Sequence, residues 1–89
     1  MSTEIDEETF IEEKEEIVYR LIVFDDDFNT FNHVIISFMD VLGYGEIRSE
    51  QLAWNIHNTG KAVVKEGKLE HLLINCQGLR DRKLDARIL

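Results

Sequence analysis

Eighty-nine residues make one small domain, and a hydrophobic share of 44% beside a charged share of 31% allows a core of modest size. Ten Lys and Arg stand against eighteen Asp and Glu, a formal charge of -8 that would be repelled by DNA, RNA and anionic lipid. No apolar run approaches the roughly 20 residues that cross a bilayer, the acidic opening holds no apolar signal core, and a single cysteine fits a reducing compartment. The expectation is therefore a cytoplasmic chain with no nucleic acid and no membrane among its partners.

The charge is unevenly placed. Residues 1–17 hold eight acids (Glu4, Asp6, Glu7, Glu8, Glu12, Glu13, Glu15 and Glu16) against Lys14 alone, a net of -7, whereas ten acids and nine bases over 18–89 leave a net of -1. So much like charge with so few large apolar groups cannot offset chain entropy, which predicts a mostly disordered acidic extension over 1–17 and a folded domain over 18–89.

From Val18 to Phe24 the chain is β-branched and aromatic, apolar on both faces, and predicts a strand. Asp25 to Thr30 interrupts it, with Asn29 or Thr30 placed to cap a helix. Phe31, Val34, Ile35, Phe38, Val41 and Leu42 recur at helical spacing until Gly43. After a turn at Tyr44-Gly45, Ser49 is expected to cap a second helix whose apolar side holds Leu52, Ala53, Ile56 and Trp54, with Gly60 as its stop. Lys61 to Lys65 predicts a short strand. Leu69, Leu72, Leu73, Cys76 and Leu79 form the clearest amphipathic stripe, and Leu84 to Ile88 alternates as a strand does. The order β-α-α-β-α-β predicts an α+β domain, a small antiparallel three-stranded sheet packed against three helices.

Catalytic and metal patterns are poorly matched. Asp25, Asp27 and Asn29 fit the opening of a calcium loop, but Thr30 and Ile36 stand where it needs Gly and Glu. His33, His57, His71 and Cys76 lack zinc spacing, and Cys76 lies on the apolar stripe. No nucleophile has a recognisable flank and no glycine-rich phosphate loop is present, since the glycines read as stops. The chain is read as neither an enzyme nor a cofactor protein.

The acidic strand end and one histidine remain. Alternation along an extended chain puts Asp25 and Asp27 on one side and Asp26 on the other. Converging carboxylates would attract a cation or a cluster of donors; equally, they would offset the positive N-terminus of the helix that starts near Phe31. His57, near the end of the second helix, suits the negative end of that helix's dipole.

Two segments carry a resemblance. The run Tyr19-Arg20-Leu21-Ile22-Val23-Phe24-Asp25-Asp26-Asp27-Phe28-Asn29-Thr30-Phe31 resembles the opening of the ClpS adaptor core, where a hydrophobic strand runs into Asn-Asp-Asp-aromatic-Thr-Pro. Gln51-Leu52-Ala53-Trp54-Asn55-Ile56-His57-Asn58-Thr59-Gly60-Lys61-Ala62-Val63 is similar to the family's helix ending in His-x-x-Gly-Lys-Ala. The two are spaced without a gap, and the likeness runs over roughly residues 18–64. It implies an adaptor that holds the free N-terminal amine and bulky hydrophobic first residue of N-degron substrates and delivers them to an ATP-dependent Clp protease through its AAA+ unfoldase. By matching positions, Asp25, Asp27 and His57 would bind the amine, while Asp26 and Asn29 would support the loop. Phe31, Val34, Ala53, Ile56 and Leu84 would line the hydrophobic pocket. Family positions that usually hold methionine are Phe31 and Ala53 here, which implies a roomier pocket on the second-helix side. The alternative is an interaction module of the same fold without amine recognition.

Overall fold

The computed structural model describes residues 17–89. The acidic extension expected over 1–17 lies, apart from Ile17, outside those residues. Strand β1 (Tyr19–Phe24) is followed by helices α1 (Phe31–Leu42) and α2 (Glu46–Thr59), strand β2 (Lys61–Gly67), helix α3 (Leu69–Asp81) and strand β3 (Asp85–Ile88). The sheet runs β2-β1-β3, both pairings antiparallel, so the strand that enters the acidic loop is the central one. This is the expected α+β order.

Period two explains which strand residues face the helices. Leu21 and Val23 of β1, Val64 of β2 and Ala86 of β3 are buried with Phe38 of α1, Ile56 of α2, and Leu72, Cys76 and Leu79 of α3. The stripe on α3 is narrower than its sequence predicts: Leu69 and Leu73 are exposed, because a sheet of three short strands covers only part of that helix. The β1–β2 register slips between Leu21 and Ile22, leaving Val64 as an extra residue on β2. Its carbonyl accepts a hydrogen bond from the Tyr44 hydroxyl at 2.6 Å, which satisfies a group that the bulge frees from the ladder.

Helix ends differ in part from the expected ones. Thr30 caps α1 through its hydroxyl, which accepts from the His33 backbone N–H, and Gly43 and Gly60 close α1 and α2 in the left-handed conformation. Ser49 does not cap α2. The helix starts earlier, behind Gly45 and with Glu46 in its first turn, and Ser49 lies fully buried within it, its hydroxyl without a hydrogen-bond partner. Gly78 is no stop either, but an interior residue of α3 where α1 comes close.

A Cβ at Gly78 would lie 2.8 Å from Val41 Cγ1, and a β-branched valine has little rotamer freedom with which to yield. Gly78→Ala should therefore destabilise the domain in denaturant titrations by about 1 kcal/mol or more, overpacking outweighing the gain in helix propensity. In a Val41→Ala background the same change should become stabilising.

Candidate functional site

The site begins where β1 ends. The Asp25 backbone N–H donates to the Gly60 carbonyl at 2.8 Å, and the Gly60 N–H donates back to Ile56 at 2.8 Å. The strand end is thereby tied to the C-terminal turn of α2, the turn that carries His57. Asp25, Asp26, Asp27, Asn29, Phe31, Val34, Ala53, Trp54 and His57 line one cavity of about 430 Å³, within the size range of small-ligand sites. Asp25, Asp27 and His57 are exposed at it, Phe31 and Val34 are half-buried, and Ala53 is buried.

Asp26 shapes the loop. Its carboxylate accepts the backbone N–H groups of Phe28 at 2.8 Å and Asn29 at 2.7 Å, and the Asn29 side-chain amide at 2.9 Å. Burial would raise its pKa, but the donors from Asn29 and Phe28, together with nearby His33, outweigh burial and hold it below the ordinary carboxylate value. The other hydrogen of the Asn29 amide goes to the Lys83 carbonyl at 2.9 Å. His33 Nε2 lies 2.8 Å from the Arg82 carbonyl, and because a carbonyl only accepts, that nitrogen carries the hydrogen. The loop is thus pinned to the α3–β3 turn, where Lys83 adopts a left-handed conformation with φ 72°.

Two residues expected on the pocket wall sit elsewhere. Ile56 and Leu84 are both 4% exposed and belong to the core cluster. Ile56 is on the inward side of α2, and Leu84 is drawn inward by its N–H bond to the Leu79 carbonyl. Trp54, assigned from sequence only to the apolar side of α2, is a cavity residue. Its ring centroid lies 4.8 Å from that of Phe31 and 6.0 Å from that of His57. Its i, i+3 spacing from His57 was the available signal. Among the described residues, no group of three or more His, Cys, Asp and Glu is gathered to hold a metal ion, and no helix is long and apolar enough to cross a membrane.

The molecule is thus a small α+β domain with a cavity whose mouth is acidic and whose walls are aromatic and aliphatic. The family model described as ATP-dependent Clp protease adaptor protein ClpS matches residues 14–86. Proteins named ATP-dependent Clp protease adapter protein ClpS are 36% identical over 66 residues in Corynebacterium diphtheriae, covering 72% of this chain, and 37% identical over 68 residues in Nocardia farcinica, covering 73%. The chain spans 58% and 64% of those relatives' own lengths. The solved structure of Agrobacterium tumefaciens ClpS2 bound to L-phenylalaninamide superposes with a TM-score of 0.69 at 16% identity, covering 81% of this chain and 94% of that one; it bears on fold alone. The chain belongs to the ClpS family.

The pKa of Asp26 gives the sign of a pH effect. A carboxyl whose folded pKa is depressed contributes stability that is complete above its unfolded pKa of about 3.9, and that contribution is lost as pH falls through the folded value. Asp26→Asn should lower stability near neutral pH by about 1 kcal/mol, since the loop's donors lose a charged acceptor. Thermal melts across acid pH should also show a shallower decline for the variant than for the parent.

Proposed function

We propose that this chain is an adaptor that binds the free N-terminal amine and bulky hydrophobic first residue of N-degron substrates and delivers them to an ATP-dependent Clp protease, docking on its AAA+ unfoldase. The observation that carries the reading is the meeting, in one cavity, of Asp25, Asp27 and His57 with Phe31, Val34 and Ala53. A protonated α-amine offers three donors and one positive charge, and carboxylates and an imidazole nitrogen are the matching acceptors. The apolar walls beside them suit the side chain on the same α-carbon. L-phenylalaninamide, the molecule bound to the Agrobacterium relative, has that combination of a free α-amine and an apolar ring.

On this reading Asp25 and Asp27 neutralise the ammonium and His57 accepts one of its hydrogens. Asp26, occupied by Asn29 and Phe28, acts by holding the loop. The adaptor carries out no bond-making chemistry of its own; hydrolysis belongs to the protease. The free, buried Cys76 suits the reducing cytoplasm in which we place the chain.

A peptide beginning with Phe should bind with its amine free and lose at least about ten-fold in affinity when acetylated, because acetylation removes the charge and the donors that face the carboxylates. Fluorescence anisotropy of peptides labelled at their C-termini measures both forms. Asp27→Ala and His57→Ala should each weaken the free-amine peptide several-fold while unfolding remains cooperative. Equal affinity for free and acetylated peptides would instead identify an interaction module of this fold without amine recognition.

A further inference from the structure

The second-helix side of the cavity looks roomy if only Phe31 and Ala53 are considered. Trp54 changes that picture. It is the single tryptophan of the chain, it lines the cavity beside Ala53, and it is 50% exposed, which leaves much of a large aromatic surface uncovered. Two neighbouring rings flank the indole. Phe31 meets it at 4.8 Å with the ring planes tilted by 55°, and His57 meets it edge-on at 6.0 Å and 74°. Held between a wall residue and an amine-corner residue, it is a pre-organised aromatic surface that needs little ordering when a ligand arrives.

We propose that Trp54 is the specificity-determining residue of this cavity, selecting a flat aromatic first side chain over a branched aliphatic one. The inference rests on the amine-binding reading above. A leucine side chain in the cavity gains from the area it buries. A phenylalanine ring gains that and also an offset or edge-to-face contact with the indole, an advantage of roughly three- to ten-fold in affinity per aromatic pair. Val34 and Ala53 favour neither ligand in this way, so the discrimination falls to the aromatic walls. Phe31 is half-buried whereas Trp54 is 50% exposed, which leaves the indole as the larger free surface.

The test uses the full chain and two free-amine peptides that differ only in a first residue of Phe or Leu, each also prepared acetylated, with Kd read by anisotropy. The wild type should prefer the Phe peptide about five-fold. Trp54→Leu should bring the Phe-to-Leu ratio close to one while both peptides keep their sensitivity to acetylation, and Trp54→Phe should restore most of the preference. A ratio unchanged in Trp54→Leu, or an equal loss for both peptides, overturns the proposal while leaving amine recognition intact. Failure of both free-amine peptides to bind the wild type, or binding that ignores acetylation, overturns the functional reading and this proposal with it. Cooperative unfolding of Trp54→Phe separates loss of the wall from loss of the fold.

Discussion

The site depends on one backbone hydrogen bond, from the Asp25 N–H to the Gly60 carbonyl at 2.8 Å. It continues the β1–β2 pairing by one more link beyond Phe24 and Lys61, and it does so at the residue where α2 has just stopped. That junction fixes where the acidic loop begins relative to α2, and the last turn of α2 cannot shift along its axis without breaking the link. Glycine is needed there because its φ of 95° is a conformation that side-chain-bearing residues rarely adopt. The glycine whose N–H satisfies the helix's orphan Ile56 carbonyl therefore also presents its own carbonyl to Asp25.

Around this junction the three aspartates divide their work by hydrogen-bonding state. Asp26 is committed to Asn29 and Phe28, so its charge is spent on loop geometry. Asp25 and Asp27 are exposed at the cavity. Three adjacent carboxylates crowd negative charge into one loop, and the donors gathered by Asp26 lower that cost. The loop also needs its distant anchors, the carbonyls of Arg82 and Lys83, because hydrogen bonds local to the turn leave it free to swing as a unit.

Much of this was legible in the sequence, for physical reasons that can be named. The β-branched run into Phe24, the helical spacing from Phe31 to Leu42 and the closing roles of Gly43 and Gly60 are local patterns, and local patterns survive folding. The gathering of Asp25, Asp27, Phe31, Val34, Ala53 and His57 around one cavity is what the resemblance of the two motifs to the ClpS family implied. What failed was decided by tertiary neighbours. Ser49 has the chemistry of a cap but lies inside the helix, Gly78 is set by the approach of Val41, and Ile56 and Leu84 are claimed by the core. Trp54 was misplaced because a large aromatic residue on a helix reads first as packing. Its contact with His57 is local to α2, but its contact with Phe31 exists only once α1 and α2 are side by side.

The anchoring of Asn29 to Lys83 joins residues 54 positions apart, and His33 reaches Arg82 across 49. Protein synthesis is vectorial, so the acidic loop leaves the ribosome long before the turn that fixes it. Until those residues emerge, the Asn29 amide of the loop and the His33 imidazole at the start of α1 have no such carbonyls to meet, and the cavity mouth has no fixed shape. A chain of this family member can thus carry the whole loop and the whole second helix and still lack a finished site, which makes the turn at Arg82 and Lys83 the segment that completes it.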